Sequence, residues 1–400
     1  MDPSDGYSEG SLEEEEEAFI DLNDPNNVVV DDGEGPEAPA SDDDEAENLD
    51  DGDGAPKMPE RDDAVGIFRT EKPLHSLSLC AKRSCLAAGS EDDLVFLCNF
   101  RDSDGGITGS QALSGHTDTV TQVAFSPNGD YLASGAMDNS VIIWDLQAPG
   151  TPILHKLQDL SGEIECLLWH PSSLVIAAGA SDAQAAMWNV SKGTLAQYFV
   201  GHHDSVTCLS WSIDVKKLIT GSADSSVMVF NPKTAEAETV VNRDIGAGVS
   251  TMSIVNDTTA VVGCVDGSLH VIALVAGRVV SSMSDTHQQA IEAVVKCPSM
   301  DILAACSCDC QVSVWNTADW TLRTVFKPSD GVTRIVWKEY QLLAACLDGS
   351  ILQWDGRQSD CPPQAKYLGN AAPIHDMIAV TPMLLATVCD DCTLRMFRLN

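Results

Sequence analysis

The chain has 400 residues, enough to bury a large core, and its content of 44% hydrophobic and 21% charged residues is ordinary for a soluble globular protein. Its 60 acidic and 23 basic residues give a net charge of −37, which disfavours direct binding to nucleic acid or an anionic membrane and favours basic protein partners. No apolar run is long enough to predict membrane insertion, and no signal peptide precedes the 14 cysteines. We therefore expect reduced cysteines in a cytoplasmic protein, with a nuclear location also open.

The first predicted element, residues 1–63, is an acidic tail. It holds 25 Asp and Glu against two basic residues, and the run Glu13–Glu17 cannot contribute to a core. This composition predicts disorder. Two apolar islands, Ala18–Ile20 and Val28–Val30, interrupt the tail, and the pattern leaves open whether either is a docking motif.

Residues 64–400 consist of a repeated unit, which is clearest in its second copy. The copy contains, in order, Gly115-His116, a predicted strand Val120–Phe125, a strand Tyr131–Ser134, the turn residue Asp138, a strand Val141–Ile143 and Trp144-Asp145. The turn aspartate recurs every 39 to 46 residues, at Asp92, Asp138, Asp182, Asp224, Asp266, Asp309, Asp348 and Asp391. Six positions after each lie Cys98, Trp144, Trp188, Phe230, Ile272, Trp315, Trp354 and Phe397. Eight such units predict an all-β WD-repeat propeller with eight blades.

A hydrogen-bonded chain of His, Asp, Ser or Thr, and Trp typically holds such a blade together. Unit two has every member, as His116, Ser134, Asp138 and Trp144. Unit four has His202, Thr220 and Asp224 but ends in Phe230. These residues are interpreted as structural, and the remaining units are expected to rely on apolar packing, because a buried polar chain stabilises only when every member is satisfied.

The two ends of the repeated region predict how the ring closes. The chain stops after the third strand of unit eight, so that blade lacks its outer strand. The strand-like run 64–70 precedes unit one and has no other partner. Because an open sheet edge is unfavourable, we expect this run to complete the last blade.

No pattern in the chain predicts an enzyme or a cofactor. It contains no phosphate-binding loop, no Gly-x-Ser-x-Gly nucleophile elbow and no His-Glu-x-x-His. Cys306, Cys308 and Cys310 cluster without a second pair at zinc-finger spacing, so no metal site is expected. The chain is therefore interpreted as a non-enzymatic binding protein without a cofactor.

The loops that share one rim of the propeller are the predicted binding surface. Mapping of the repeat assigns a ring at the channel mouth to His75, Thr121, Glu165, Thr207, Ser250, Glu292, Thr333 and His375. Neighbouring loops add Glu91, Asp93, Asp118, Glu163, Asp204, Asp285, Asp330 and Asp390. None of the sixteen is Lys or Arg, so the rim is expected to bind a basic protein or peptide through charge-assisted hydrogen bonds, with a monomer as the binding unit. The other interpretation is an acidic surface that serves solubility alone.

Trp354-Asp355-Gly356-Arg357 suggests an alternative function. It matches the short Trp-Asp-x-Arg pattern of WD-repeat substrate receptors in cullin ubiquitin ligases. The pattern is weak, because Arg357 can equally pair with a nearby carboxylate.

The whole layout resembles the angio-associated migratory cell protein family. The resemblance includes the Phe19-Ile20-Asp21 island, the Glu91-Asp92-Asp93 turn, the stretch from Gly162 to Pro171 and two stretches of unit five, 266–271 and 277–282. The family's fungal members are chaperones of a large-subunit ribosomal protein, which implies that this chain captures the basic segment of such a protein during ribosome assembly. Other members are linked with migration and signalling, so a general cytoplasmic scaffold stays open. The chain departs from the family pattern where most units lack Gly-His and where Cys98 replaces a Trp.

Overall fold

A computed structural model describes residues 61–399, which form eight four-stranded antiparallel sheets arranged as the blades of a propeller. Each blade has strands a to d from the channel outward, and the eight a strands contact one another around the ring. Blades 1 to 4 consist of β2 Leu74–Cys80, β3 Cys85–Ser90, β4 Leu94–Phe100 and β5 Ile107–Ser114; β6 Val120–Phe125, β7 Tyr131–Ala136, β8 Val141–Asp145 and β9 Ile153–Leu157; β10 Ile164–Trp169, β11 Val175–Ala180, β12 Ala185–Asn189 and β13 Thr194–Phe199; and β14 Val206–Trp211, β15 Leu218–Ser222, β16 Val227–Phe230 and β17 Ala237–Val241.

Blades 5 to 8 follow the same order, except that the outer strand of blade 8 comes from the other end of the chain. They consist of β18 Val249–Asn256, β19 Thr259–Cys264, β20 Leu269–Ala273 and β21 Arg278–Met283; β22 Ile291–Lys296, β23 Ile302–Ser307, β24 Gln311–Asn316 and β25 Leu322–Phe326; β26 Val332–Lys338, β27 Gln341–Cys346, β28 Ile351–Asp355 and β29 Ala365–Tyr367; and β30 Ile374–Thr381, β31 Leu384–Cys389, β32 Thr393–Arg398 and β1 Ala64–Arg69. One 3-10 turn, Ala81–Arg83, joins β2 to β3. Between residues 61 and 399 no helix has the length and apolar character needed to span a membrane.

The burial of each strand follows its place in the blade. The b strands are short runs of small and apolar residues that neighbouring blades cover on both faces, as in β3 and β23, where every residue is buried. The d strands lie outside and alternate between exposed and covered residues, as the two-residue period of a strand requires. Glycine permits the close approach of blades, because a Cβ on Gly89 would lie 2.6 Å from the carbonyl oxygen of Val120 in the next blade.

The structure confirms the predicted eight-bladed fold and its closure by an N-terminal strand. β1 pairs with β32 along its length, so blade 8 combines the two ends of the described chain. The closing contacts begin three residues before the predicted boundary at 64, where the Arg61 guanidinium donates to the carbonyl oxygen of Lys366 at 3.3 Å. Asp62 accepts a hydrogen bond from the Arg395 guanidinium at 2.5 Å, and the backbone N–H of Asp63 donates to the carbonyl oxygen of Leu368 at 2.7 Å. The segment before residue 61, with most of the predicted tail, lies outside the described residues.

The residues six positions after each turn aspartate form the outer core. All eight lie on c strands and are buried, including Cys98 and Ile272, where the usual Trp is replaced. Each one packs within an apolar cluster that spans two adjacent blades, as Trp354 does between blades 6 and 7. The 14 cysteines are all free thiols, and eight of them are buried.

Candidate functional site

The two rims of the propeller differ in charge. Because consecutive strands are antiparallel, the d–a loops and b–c turns lie on one rim, which we call the acidic rim, and the a–b and c–d turns lie on the opposite rim. The acidic rim carries nineteen carboxylates and three basic residues, whereas the opposite rim carries ten carboxylates and eight basic residues. Most of the net negative charge of the described chain is therefore concentrated at one end of the channel.

A β-bulge at the start of every a strand places one residue of each blade at the channel mouth. In all eight blades the pairing of strands a and b shifts by one residue after the first position of strand a. The bulged residue is the second residue of the strand, and in the eight blades it is His75, Thr121, Glu165, Thr207, Ser250, Glu292, Thr333 and His375. A bulge frees a residue from the regular ladder and re-aims its side chain. The eight ring positions assigned from the sequence thus share one backbone geometry.

Four of the ring residues connect neighbouring blades. The hydroxyl of Thr121 donates to the carbonyl oxygen of Ile164 in the next blade at 2.6 Å. The equivalent bonds of Thr207, Ser250 and Thr333 are 2.7, 2.6 and 2.6 Å long. These hydroxyls therefore link adjacent blades at the mouth.

The two ring histidines form a separate sector where blades 8 and 1 meet. The imidazoles of His75 and His375 lie 4.9 Å apart, centroid to centroid. Each also contacts a rim carboxylate, His75 with Glu91 at 3.2 Å and His375 with Asp390 at 2.6 Å. Glu91 and Asp390, two of the predicted partner-binding residues, therefore already have partners within the protein.

Glu163 and Glu165 form an acidic sector of the mouth in blade 3. Both side chains are exposed, and neither makes an ion pair within the part of the chain that the structure describes. Surrounding protein atoms partly desolvate Glu165, and this desolvation together with the charge of Glu163 raises its pKa. A cationic side chain bound beside Glu165 would oppose this shift, because an opposite charge favours the ionised carboxylate.

The remaining predicted rim residues are spread around the mouth, and none is buried. Glu292 accepts a weak bond from the Cys308 thiol at 3.8 Å, and the raised pKa of that thiol, about 11, keeps it neutral. Asp118, Asp204 and Asp330 each accept a hydrogen bond from the N–H of the next residue. Asp93 lies on the turn between β3 and β4, and Asp285 lies on the loop between β21 and β22. The sixteen mapped positions left out three basic residues of the same loops, namely Lys72, Arg243 and Lys327.

The hydrogen-bonded chains of the blades lie beneath this rim. In blade 2, His116 Nε2 lies 2.7 Å from the Ser134 hydroxyl and Nδ1 lies 3.1 Å from Asp138, while Trp144 donates to Ser134 at 2.9 Å. In blade 4, His202 contacts Thr220 at 2.6 Å and Asp224 at 3.4 Å. Burial lowers the pKa of both imidazoles, although the neighbouring carboxylates oppose the shift. Both chains hold loops in place and are covered by protein.

A third chain, in blade 6, contradicts the expectation that the remaining units lack one. His287 contacts Asp309 at 3.1 Å and Ser313 at 2.8 Å, and Trp315 donates to the same hydroxyl at 2.9 Å. The sequence search missed it because Thr286 replaces the usual Gly and the serine lies on strand c instead of strand b. The spacing of 22 residues between His and Asp, shared with blades 2 and 4, is the signal that could have found it.

Arg357 is held within its own blade. Its guanidinium donates to Asp355 at 2.6 Å and lies 3.8 Å from the centre of the Tyr340 ring. Both contacts compete with an external partner for the same side chain. The geometry therefore gives no particular support to the ubiquitin-ligase interpretation.

Comparison with known proteins agrees with this architecture. A family model described as the IFT122 first beta-propeller matches residues 73–355. The angio-associated migratory cell protein of Homo sapiens is 25% identical over 342 residues, covering 80% of this chain and 76% of that protein, which confirms the resemblance seen in the sequence. The structure of Sqt1 from Saccharomyces cerevisiae has a TM-score of 0.76 at 19% identity, covering 85% of this chain and 99% of that one. Sqt1 from Chaetomium thermophilum bound to the N-terminus of the ribosomal protein L10 has a TM-score of 0.75 at 21% identity, covering 84% and 100%. The two solved structures share the fold.

Proposed function

The chain belongs to the WD-repeat family described as the IFT122 first beta-propeller, and on this premise we propose that it is a dedicated chaperone that captures the basic segment of a large-subunit ribosomal protein during ribosome assembly. The fold is typical of non-enzymatic binding proteins. The observation that carries the proposal is the charge difference between the rims, nineteen carboxylates and three basic residues on one against ten and eight on the other. A charge needed only for solubility would not have to be confined to one rim.

The acidic rim suits an extended basic peptide laid across the channel mouth. Lysine and arginine side chains would form charge-assisted hydrogen bonds with the exposed carboxylates, and Glu163 and Glu165 offer two that have no ion-pair partner among the described residues. The blade-to-blade bonds of Thr121, Thr207 and Thr333 hold the mouth in place before binding, which lowers the entropic cost of association. The Sqt1 structure that contains the N-terminus of L10 supports a ribosomal peptide as the partner.

The proposal places the chain in the cytoplasm, where it would meet newly made ribosomal proteins before assembly, and leaves a nuclear location open. Binding would shield the client's basic segment from stray RNA, because the rim carboxylates would occupy the basic side chains that RNA phosphates would otherwise contact. A general scaffold that binds folded partners through apolar surface would depend little on salt.

Binding of a labelled N-terminal peptide of ribosomal protein L10, measured by fluorescence anisotropy, tests the proposal. Glu163→Lys combined with Glu165→Lys should raise the Kd about tenfold or more, since reversal of two rim charges removes attraction and adds repulsion. Raising the salt concentration to about 0.5 M should weaken wild-type binding in the same direction, because exposed charge pairs are then screened.

Asp257→Lys combined with Asp301→Lys is the matched control. Both side chains are exposed carboxylates on the opposite rim, so this variant changes the net charge equally without touching the mouth. Equal loss of binding in the two double variants would mean that only overall charge matters. Binding that is indifferent to both the rim variant and salt would overturn the proposal and favour the scaffold.

A further inference from the structure

A cavity of about 520 Å³ lies between blades 3 and 4 on the rim opposite to the acidic rim. The a–b turns of both blades and the c–d turn of blade 4 surround it. Its apolar wall includes Met187, Trp211 and Val215. The volume falls within the range of about 300–1,000 Å³ that ligand pockets occupy. The cavity is therefore large enough to enclose an aromatic side chain.

Two residues of the apolar wall are held in place by the fold. The Nε1 of Trp211 donates to the carbonyl oxygen of Trp169 at 3.1 Å, and the Trp211 ring meets His170 edge-on with the ring centroids 4.9 Å apart. Val215 adopts a φ of 57°, in the left-handed region that a β-branched residue rarely occupies. Gly or Asn would suit this turn better, so the turn keeps an apolar side chain at a cost in backbone energy, and such costs concentrate at binding sites.

The lysines that line this cavity are not matched by carboxylates. Lys216, Lys217 and Lys233 line it, and no carboxylate of the described residues does. Lys217 pairs with Glu238, and Lys216 pairs with Asp214 of its own turn at 3.2 Å, where both side chains are exposed. Lys233 is exposed and has no ion-pair partner among the described residues. At least two ammonium groups can therefore meet an anionic ligand, because an exposed ion pair such as that of Lys216 is weak.

The cavity also lies in the basic half of its rim. The a–b and c–d turns of blades 1 to 4 carry seven basic residues and five carboxylates, whereas those of blades 5 to 8 carry one basic residue and five carboxylates. On a chain with a net charge of −37, this half of the rim has a local excess of positive charge. It attracts acidic segments of proteins, while the field of the whole chain disfavours a polyanion as large as nucleic acid.

We propose that this cavity binds an acidic peptide segment of another protein, with one aromatic side chain of that segment inserted against Trp211. The flanking carboxylates would form charge-assisted hydrogen bonds with Lys216 and Lys233. The inserted ring would pack on the indole and on Met187, whose thioether makes favourable contacts with aromatic rings. The inference goes beyond the proposed chaperone role and does not depend on it, because the cavity and the acidic rim lie at opposite ends of the channel. The two ends would hold partners of opposite charge.

Fluorescence anisotropy with the full chain and a labelled Glu-Glu-Glu-Phe-Glu-Glu-Glu peptide tests the proposal. Replacement of the peptide's Phe by Ala should raise the Kd about tenfold, since the contact with the apolar wall is lost. Lys216→Glu combined with Lys233→Glu should raise the Kd about tenfold or more, because two attractive charges become repulsive. Absence of binding to the wild-type chain, or binding that neither change weakens, would overturn the proposal.

Lys82→Glu combined with Arg101→Glu is the matched control. Both side chains are exposed on blade 1 of the same rim, so this variant changes the net charge equally without touching the cavity. It should leave the Kd within about twofold of the wild-type value, because charges beyond the Debye length are largely screened. Equal losses of affinity in the two double variants would mean that overall charge governs binding, and the cavity would have no part in it.

Val215→Asn tests the apolar wall without weakening the fold. Asn tolerates a left-handed backbone better than Val, so the unfolding temperature should be unchanged or higher. The Kd of the Phe peptide should rise about threefold or more, and the Kd of the Ala peptide should not change, because only the Phe ring contacts the wall. An unchanged Kd of the Phe peptide would contradict insertion of the ring.

Two other occupants of the cavity give different results. A single-stranded oligothymidylate that binds as tightly as the peptide and is equally sensitive to the lysine variant would mean that the site takes any polyanion. Self-association of the chain that the lysine variant abolishes would identify the acidic rim of a second copy as the occupant. Either result would overturn the proposal. The L10 peptide should bind the lysine variant as well as it binds the wild-type chain, so failure of this inference is distinguishable from failure of the chaperone proposal.

Discussion

At the scale of single residues, the hydrogen-bonded chains depend on where a hydroxyl can reach and not on which strand supplies it. In blade 2 the hydroxyl comes from Ser134 on strand b, and in blade 6 it comes from Ser313 on strand c. Both accept the indole N–H of the blade's Trp at 2.9 Å. A buried imidazole and indole need a partner wherever it originates, because an unpaired buried donor is costly.

Ser313→Ala is expected to lower the free energy of unfolding by about 2 kcal/mol, since it leaves both His287 and Trp315 without their shared partner. Chemical denaturation gives this value directly. Ser329→Ala, which removes an exposed hydroxyl on a loop of the acidic rim, is the control and should change stability by less than about 0.5 kcal/mol. Equal stabilities of the two variants would mean that the blade 6 chain contributes nothing.

At the scale of elements, side-chain contacts stabilise the closing strand β1 in addition to its backbone hydrogen bonds with β32. Arg395 is fully buried on β32, and its guanidinium is neutralised by Asp391 from the turn of its own blade and by Asp62 from the segment before β1. Asp62 also accepts the N–H of Ala64 at 2.9 Å, which sets the start of the strand. The buried guanidinium of Arg395 thus links the first described residues to β32, the last strand in the chain.

Asp62→Asn should lower the free energy of unfolding by about 2 kcal/mol, because it removes one of the two charges that compensate the buried Arg395 while keeping the acceptor for Ala64. Thermal or urea unfolding measures the change. Arg61→Gln serves as the comparison, since Arg61 is exposed and its pairing with Asp63 should contribute much less to stability. An unchanged stability for Asp62→Asn would indicate that Asp391 alone neutralises the arginine.

At the scale of the whole molecule, the ring geometry concentrates separate local features at one end of the channel. Eight bulges present eight side chains to the same mouth, and the loops beside them carry most of the net charge of the described residues. This surface exists only when the ring is closed, since β30 of blade 8 must lie against β2 of blade 1. The binding proposed for the acidic rim should therefore depend on closure of the ring.

Two truncations separate the closing strand from the segment before it. Deletion of residues 1–60 should leave the unfolding temperature unchanged, because every described closing contact is retained. Deletion of residues 1–70 removes β1 together with Asp62 and Asp63, exposes the edge of β32, and should cost about 5 kcal/mol or more, comparable with the whole stability of a domain. Soluble yield and differential scanning calorimetry report both results. A stable, monomeric 71–400 fragment would contradict closure by β1.

The sequence by itself determined the eight blades, the turn aspartates, the buried residues six positions later and the closing strand. These features follow from strand length and turn chemistry. Both recur at a regular spacing along the chain, so the period is visible in the sequence. The tertiary structure alone decided which rim residues are available. It placed His75 against His375 and Asp62 against Arg395, and it showed four ring hydroxyls that bond to neighbouring blades. Contacts between blades and between chain ends join residues at no fixed spacing, because they depend on how the sheets pack around the ring.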